Sequence, residues 1–105
     1  MAMTFDPAQA SAVDMILKDV AGAEPARMFG MPCYKVKGKM VVGLYETGVV
    51  VKVGKAKAAD LIRAGKTESF EPMPGRVWKD WVLLTGDIDE YSELIKEAVE
   101  AAKKA

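Results

Sequence analysis

The side chains of this chain that could do chemistry are one cysteine, several lysines and a set of carboxylates, because the sequence contains no histidine. Histidine is the side chain best suited to proton transfer near neutral pH, so nucleophile pairs of the Ser-His or Cys-His type are excluded. A single cysteine cannot supply the soft ligands of a zinc site or form an intrachain disulfide. The glycines form no phosphate-binding loop. We therefore expect no catalytic residue, no metal and no cofactor.

Cys33 lies between Pro32 and Tyr34, with the basic residues Arg27 and Lys35 nearby in sequence. A neighbouring cation lowers the pKa of a thiol and makes it more reactive. Free cysteines are more often small buried hydrophobic residues, and we favour that interpretation here. A reactive lysine or an all-carboxylate metal site is open in principle, but lysines at hairpin turns and acidic helix faces are usually solvated.

Charge is unevenly distributed along the chain, although the net charge is zero. Residues 27–79 hold eleven basic and four acidic side chains, whereas both ends are acidic. A solvated, lysine-rich sheet beside acidic helices explains this distribution, and we prefer it. The alternative is a nucleic-acid-binding accessory domain whose basic central segment contacts phosphates. Its candidate residues are Lys35, Lys37, Lys39, Lys52, Lys55, Lys57 and Arg76.

Two segments, residues 27–32 and residues 70–78, combine methionine, aromatic and arginine residues with proline or glycine. This composition suits contact surfaces and structural corners alike. The candidates for contact with a partner are Arg27, Met28, Phe29, Met31, Met73, Arg76 and Trp78. A small-molecule sensor or enzyme with a pocket between the two segments is a second alternative, but no converging polar residues support it.

The elements that must position these residues begin with an amphipathic helix. Asp6 caps it, Pro7 starts it, and apolar residues then recur at helical spacing before a stop at Gly22. Strands are expected at residues 27–30, 39–45 and 49–53. The glycines of Lys37-Gly38 and Thr47-Gly48 should provide the positive φ of the connecting turns. The pattern leaves open whether residues 34–36 also pair.

The residue pattern in the second half of the chain predicts two further helices. Residues 55–64 form a short helix with Ala59, Leu61 and Ile62 inward and Gly65 as its stop. A brief strand at residues 69–71 and β structure within residues 78–85 follow. The last helix begins at the cap Asp87 and carries one long apolar stripe.

The resulting order is αβββαββα, which predicts an α+β, two-layer fold with an antiparallel sheet of about five strands and helices on one face. The length suits a single domain over residues 1–105. No apolar run is long enough to span a membrane, and residues 1–23 lack the pattern of a secretory signal. We therefore expect a cytoplasmic protein.

A family resemblance rests on five features in a fixed order. They are Arg27-Met28-Phe29-Gly30, the Gly38-Lys39-Met40 hairpin, Phe70 before Pro-Gly-Arg, the strand at residues 81–84 and the terminal amphipathic helix. In their order and spacing they resemble the TfoX/Sxy N-terminal domain family over most of the chain. The resemblance implies a bacterial protein with an αβββαββα domain.

The family resemblance also implies a regulatory function. Family members are associated with the regulation of competence genes, and their full-length forms add a C-terminal domain of helix-hairpin-helix type. The chain is then expected to be a stand-alone N-terminal-type domain without that second domain. The resemblance provides no catalytic residue, and Met31 stands where a second glycine is common.

The apolar strands suggest how such a domain could act. Residues 40–44, 49–51 and 81–84 place apolar side chains on both sheet faces, whereas short helices can cover only one. An uncovered apolar face would be large for a monomer and would favour association. We therefore expect a non-enzymatic interaction or regulatory module that forms a homodimer and binds a protein partner.

Overall fold

The structure, a computed structural model, describes residues 5–28, 31–46, 48–72 and 74–104. Within these residues six strands form one antiparallel sheet, and helices pack on one face of it. The helices are α1 (Pro7–Leu17), α2 (Lys55–Arg63) and α3 (Ser92–Lys104), with a 3-10 turn at Ile88–Tyr91 before α3. The strands are β1 (Glu24–Met28), β2 (Met31–Val36), β3 (Lys39–Tyr45), β4 (Gly48–Lys52), β5 (Glu68–Ser69) and β6 (Trp81–Thr85). The predicted α+β, two-layer class is confirmed.

The sheet has one strand more than the sequence predicts before α2. Its order is β1-β2-β3-β4-β6-β5, so β6 lies between β4 and β5. The open question about residues 34–36 is answered, because they are part of β2. The first strand covers residues 24–28 instead of the predicted 27–30. Its sequence lacks β-branched residues, so pairing with β2 and not strand propensity defines it.

A bulge in β3 turns two consecutive valines toward the helices. Tyr34 pairs with Val42, but Lys35 pairs with Met40, so Val41 is an extra residue in β3. Val41 and Val42 are both buried between the sheet and the helices, whereas Met40 packs on the opposite face. The bulge therefore sets which side chains each face of the sheet receives.

The main core lies between the sheet and the helices, and it confirms the predicted stripes of the first and last helices. Its most completely buried side chains are Val13, Val42, Val49, Val51, Val82, Leu84, Ile88, Ile95 and Val99. The predicted stop of the first helix at Gly22 was wrong, because α1 ends at Leu17. The predicted inward face of α2 is partly wrong. Ala58 is buried and Leu61 is half-buried, whereas Ala59 and Ile62 are exposed. Residues 58 and 61 share a face at i, i+3 spacing, and this face packs on the sheet.

The turn between β3 and β4 differs from the predicted one. Positive φ falls on Glu46, at 31°, and not on Gly48, so the expected role of Gly48 was wrong. Gly48 is required for another reason. A methyl group there would overlap the carbonyl oxygen of Leu84 and lie 2.7 Å from Cδ1 of Leu83. The close approach of β4 and β6 therefore demands glycine.

Gly48→Ala is expected to lower the free energy of unfolding by about 1–3 kcal/mol, the usual effect of forcing an extra carbon into packed structure. Urea unfolding measures this loss. Gly43→Ala is the matched control, because its methyl would meet only the flexible side chain of Met40 closely, at 3.3 Å from Sδ. Equal losses for the two variants would contradict the role assigned to Gly48.

Tyr34 ties α1 to the sheet. Its side chain is buried in the main core, and its hydroxyl donates a hydrogen bond to Oδ1 of Asp14 on α1, 3.0 Å away. Burial, followed by the hydrogen bond and charge of Asp14, raises the pKa of Tyr34 to about 12. The protonated phenol is therefore favoured by the folded state.

Tyrosine titration should reveal this bond. The folded pKa of Tyr34 exceeds the unfolded value of about 10, so its contribution to stability is complete below about pH 10 and is lost as the pH rises toward 12. An absorbance titration of the tyrosines should contain a late ionisation step, and Tyr34→Phe should remove it. The variant should also lose roughly 0.5–1.5 kcal/mol of stability. A titration without a late step, or a late step that survives in Tyr34→Phe, would argue against the bond.

Candidate interaction surface

Phe70 and Trp78 pack over the sheet face that carries no helix. Phe70 is only 4% exposed and packs with Val50 and Trp81. Met40, Tyr45 and Leu83 are partly buried around this second core. Among the described residues, the large open apolar face expected from the sequence is therefore not found, because a loop fills the place of a second layer.

Four aromatic side chains, Tyr45, Phe70, Trp78 and Trp81, form what we call the aromatic cluster. The ring centroid of Phe70 lies 5.0 Å from that of Tyr45 and 5.2 Å from that of Trp78, both in edge-to-face geometry. The two tryptophan rings are 5.6 Å apart. Such pairs stabilise by about 0.5–1.5 kcal/mol beyond the area they bury. Phe70 is therefore the centre of the cluster.

The loop is held by its own hydrogen bonds. The backbone N–H of Trp78 donates to the carbonyl of Phe70 at 2.9 Å, and that of Trp81 donates to the carbonyl of Trp78 at 3.1 Å. Between them, Oε2 of Glu71 accepts from the N–H of Gly75 at 2.6 Å. The backbone around Trp78 is thus fixed on both sides of the residue.

The outer part of this loop is an exposed segment that we call the knob, consisting of Arg76, Val77, Trp78 and Lys79. Val77 is 45% exposed and Trp78 is 39% exposed. One side of the Trp78 ring contacts Phe70 and Trp81, and the remainder faces solvent. A basic residue flanks the apolar pair on each side. The knob therefore offers an anchored tryptophan between two cations.

The predicted partner contacts do not form one surface. Arg76 and Trp78 are exposed in the knob, but Met31 in β2 is only 4% exposed. Arg27 is exposed on β1 and pairs with Pro32, which places it on the sheet face opposite Trp81. Phe29, Met73 and the side chain of Met28 lie outside the described residues. Val77 and Lys79 join the surface, and their position beside Trp78 in a loop was the signal that could have identified them.

The predicted phosphate contacts are also spread over the molecule. Lys35 and Lys52 lie on the face of the aromatic cluster, since they pair with Met40 and Trp81. Lys39 pairs with Val36 and so lies on the helix side. The remaining candidates are Lys37 in the β2–β3 turn, Lys55 and Lys57 on α2, and Arg76 in the knob. Nζ of Lys57 lies 2.6 Å from Oε1 of Glu97 on α3, so this cation is used within the chain.

A second surface feature is an open cleft of about 450 Å³ between the end of α2 and the start of α3. Half-buried Leu61, Tyr91 and Leu94 supply its apolar surface, and the exposed carboxylates of Glu90 and Glu93 line it as well. Lys66 also lines the cleft, where its carbonyl accepts a hydrogen bond from the Tyr91 hydroxyl at 2.9 Å. Sequence reasoning missed this site because its residues come from distant parts of the chain.

No group of three or more histidine, cysteine, aspartate or glutamate side chains among the described residues could hold a metal ion. No helix in this part of the chain has the length and apolar character needed to cross a bilayer.

Comparison of the chain with models of protein families, with curated proteins and with solved structures gives no match. The resemblance to the TfoX/Sxy N-terminal domain therefore stays a prediction from the residues that carry it.

Cys33 provides a test of the sheet face on which the aromatic cluster lies, since it pairs with Gly43, which in turn pairs with Val50. It is 2% exposed, and burial raises the pKa of its thiol, with a smaller opposing effect from the charge of Lys35. A protonated, buried thiol reacts slowly, because the thiolate is the nucleophile.

We expect a native thiol reagent to label Cys33 far more slowly than it labels the chain in denaturant. Because access requires opening of the sheet face, the native rate should increase when urea is added below the unfolding midpoint. Rapid native labelling that depends on a low thiol pKa would overturn this assignment and revive a reactive cysteine.

Proposed function

We propose that this chain is a non-enzymatic protein-interaction module that contacts its partner through the knob. The observation that supports the proposal is a tryptophan that is 39% exposed yet packed on Phe70 and Trp81. Tryptophan and arginine are the side chains most enriched among the residues that dominate binding energy at protein interfaces. The knob presents both within three residues.

The fixed backbone of the knob makes it a better contact than a mobile loop. Ordering a side chain on binding costs about 0.5–1.5 kcal/mol, and contacts that already hold Trp78 reduce that cost. The sheet edges are weaker candidates. The edge strand β5 has only two residues, and the opposite edge, β1, contains Pro25, which cannot donate a backbone hydrogen bond.

The partner that we propose first is a second copy of the chain, which would make the protein a homodimer or a larger homo-oligomer. The net charge of zero gives two copies no overall repulsion. The resemblance to a family of bacterial competence regulators supports a regulatory role in the cytoplasm, with association as the regulated property.

Trp78→Ser should reduce association, because it removes the apolar anchor of the knob. Light scattering coupled to gel filtration over a range of protein concentrations measures the effect as a fall in mean mass. Met15→Ser is the matched control, since Met15 is 64% exposed on α1 and should leave association unchanged. Circular dichroism should establish that both variants fold.

A wild-type protein that stays monomeric at high micromolar concentration would exclude the second copy as partner. Binding of a single-stranded oligonucleotide that weakens steeply with salt would instead favour the nucleic-acid alternative, with Trp78 stacking on bases. Loss of that binding in Trp78→Ser would place the contact at the knob.

A further inference from the structure

We propose that the knob of one molecule docks in the cleft of a second copy, so that molecules associate head to tail. This inference rests on the proposed function, because it takes the knob as the contact surface. It adds the complementary surface, which lies between the end of α2 and the start of α3.

The open cleft is large enough to receive an indole, and part of its surface is apolar. Its volume of about 450 Å³ lies within the range of roughly 300–1,000 Å³ that is usual for pockets that bind small molecules. Such molecules are generally larger than a tryptophan side chain. Leu61, Tyr91 and Leu94 are half-buried there, so each retains apolar surface for contact. Tyr91 also offers an aromatic ring for edge-to-face packing against Trp78.

The charges of the two surfaces are opposite in sign. Arg76 and Lys79 flank Trp78, while Glu90 and Glu93 line the cleft. Lys66 offsets one of the two carboxylates, which leaves the cleft with a net charge of −1 from these three side chains. Exposed ion pairs contribute little affinity, so we assign the binding energy mainly to Trp78 and the orientation to the charges.

The location of the two surfaces favours head-to-tail association. The knob packs on the sheet face that carries no helix, whereas the cleft belongs to the helix layer. Aromatic contacts with Phe70 and Trp81 hold Trp78 at its own sheet face, so each molecule presents a knob and a cleft to other copies. Contacts between unlike surfaces form closed rings or continue as open chains.

Mixing two defective variants tests this arrangement. Trp78→Ser removes the knob but leaves the cleft, and the double variant Glu90→Lys/Glu93→Lys reverses the charge of the cleft but leaves the knob. We expect each variant alone to be monomeric by sedimentation velocity. An equimolar mixture should form a one-to-one pair and nothing larger, because only one intact knob and one intact cleft can meet. The wild type, with both surfaces intact, should form species larger than this pair, either a closed ring of fixed mass or chains whose mass increases with concentration.

Two controls distinguish loss of the contact from loss of folding and from the effect of a changed net charge. Val77→Asp alters the knob outside the aromatic cluster and should behave like Trp78→Ser in the mixture. Asp19→Lys/Glu100→Lys makes the same charge change at two exposed residues outside the cleft, and should associate like the wild type.

Distinct results would separate failure of this inference from failure of the proposed function. If Glu90→Lys/Glu93→Lys associates like the wild type while Trp78→Ser does not, the knob is the contact and the cleft is not its partner. If Trp78→Ser and Val77→Asp both associate like the wild type, the knob itself is not the contact. A monomeric wild type overturns both.

Discussion

The burial of β4 on both of its faces is the constraint on which the rest of the structure depends. Val49, Val50 and Val51 are three consecutive residues with at most 2% exposure. Because side chains of a strand alternate between faces, both sides of the sheet must be covered at this strand. The helices cover Val49 and Val51, and Phe70 and Trp81 pack with Val50 on the other face.

The second covering layer is small, and this explains the form of the candidate interaction surface. A single loop must shield the sheet centre, and it does so with Phe70 packed against Val50 and Trp81. Trp78 packs on the outside of Phe70, where nothing further in the described residues covers it fully. The exposed tryptophan is thus a consequence of closing a core with one thin layer, and the same contacts hold it rigidly.

The ionisable groups with shifted pKa values serve structure. Burial is the largest cause of the raised pKa of both Cys33 and Tyr34, and both side chains are neutral at physiological pH in the fold. The Lys57–Glu97 ion pair joins α2 to α3, so part of the positive charge of the central segment is matched within the molecule. These groups leave recognition to exposed surfaces, where Arg76, Lys79, Glu90 and Glu93 lie.

Local pattern was enough to predict α1, α3, the strands β3, β4 and β6, and the α+β class, because capping residues and apolar periodicity act within a few positions of the chain. Arg76 and Trp78 were predicted as partner contacts from composition alone, and the structure shows both to be exposed. Other features depend on contacts between distant residues and were decided only by the tertiary structure. Pairing with Lys35 makes Glu24 part of a strand, the approach of Leu84 explains the need for glycine at position 48, and the order of the sheet places β6 beside β4. The cleft combines residues 61–66 with residues 90–94, and the cover on Val50 comes from Phe70, since long-range packing brings such segments together and leaves no periodic signal in the sequence.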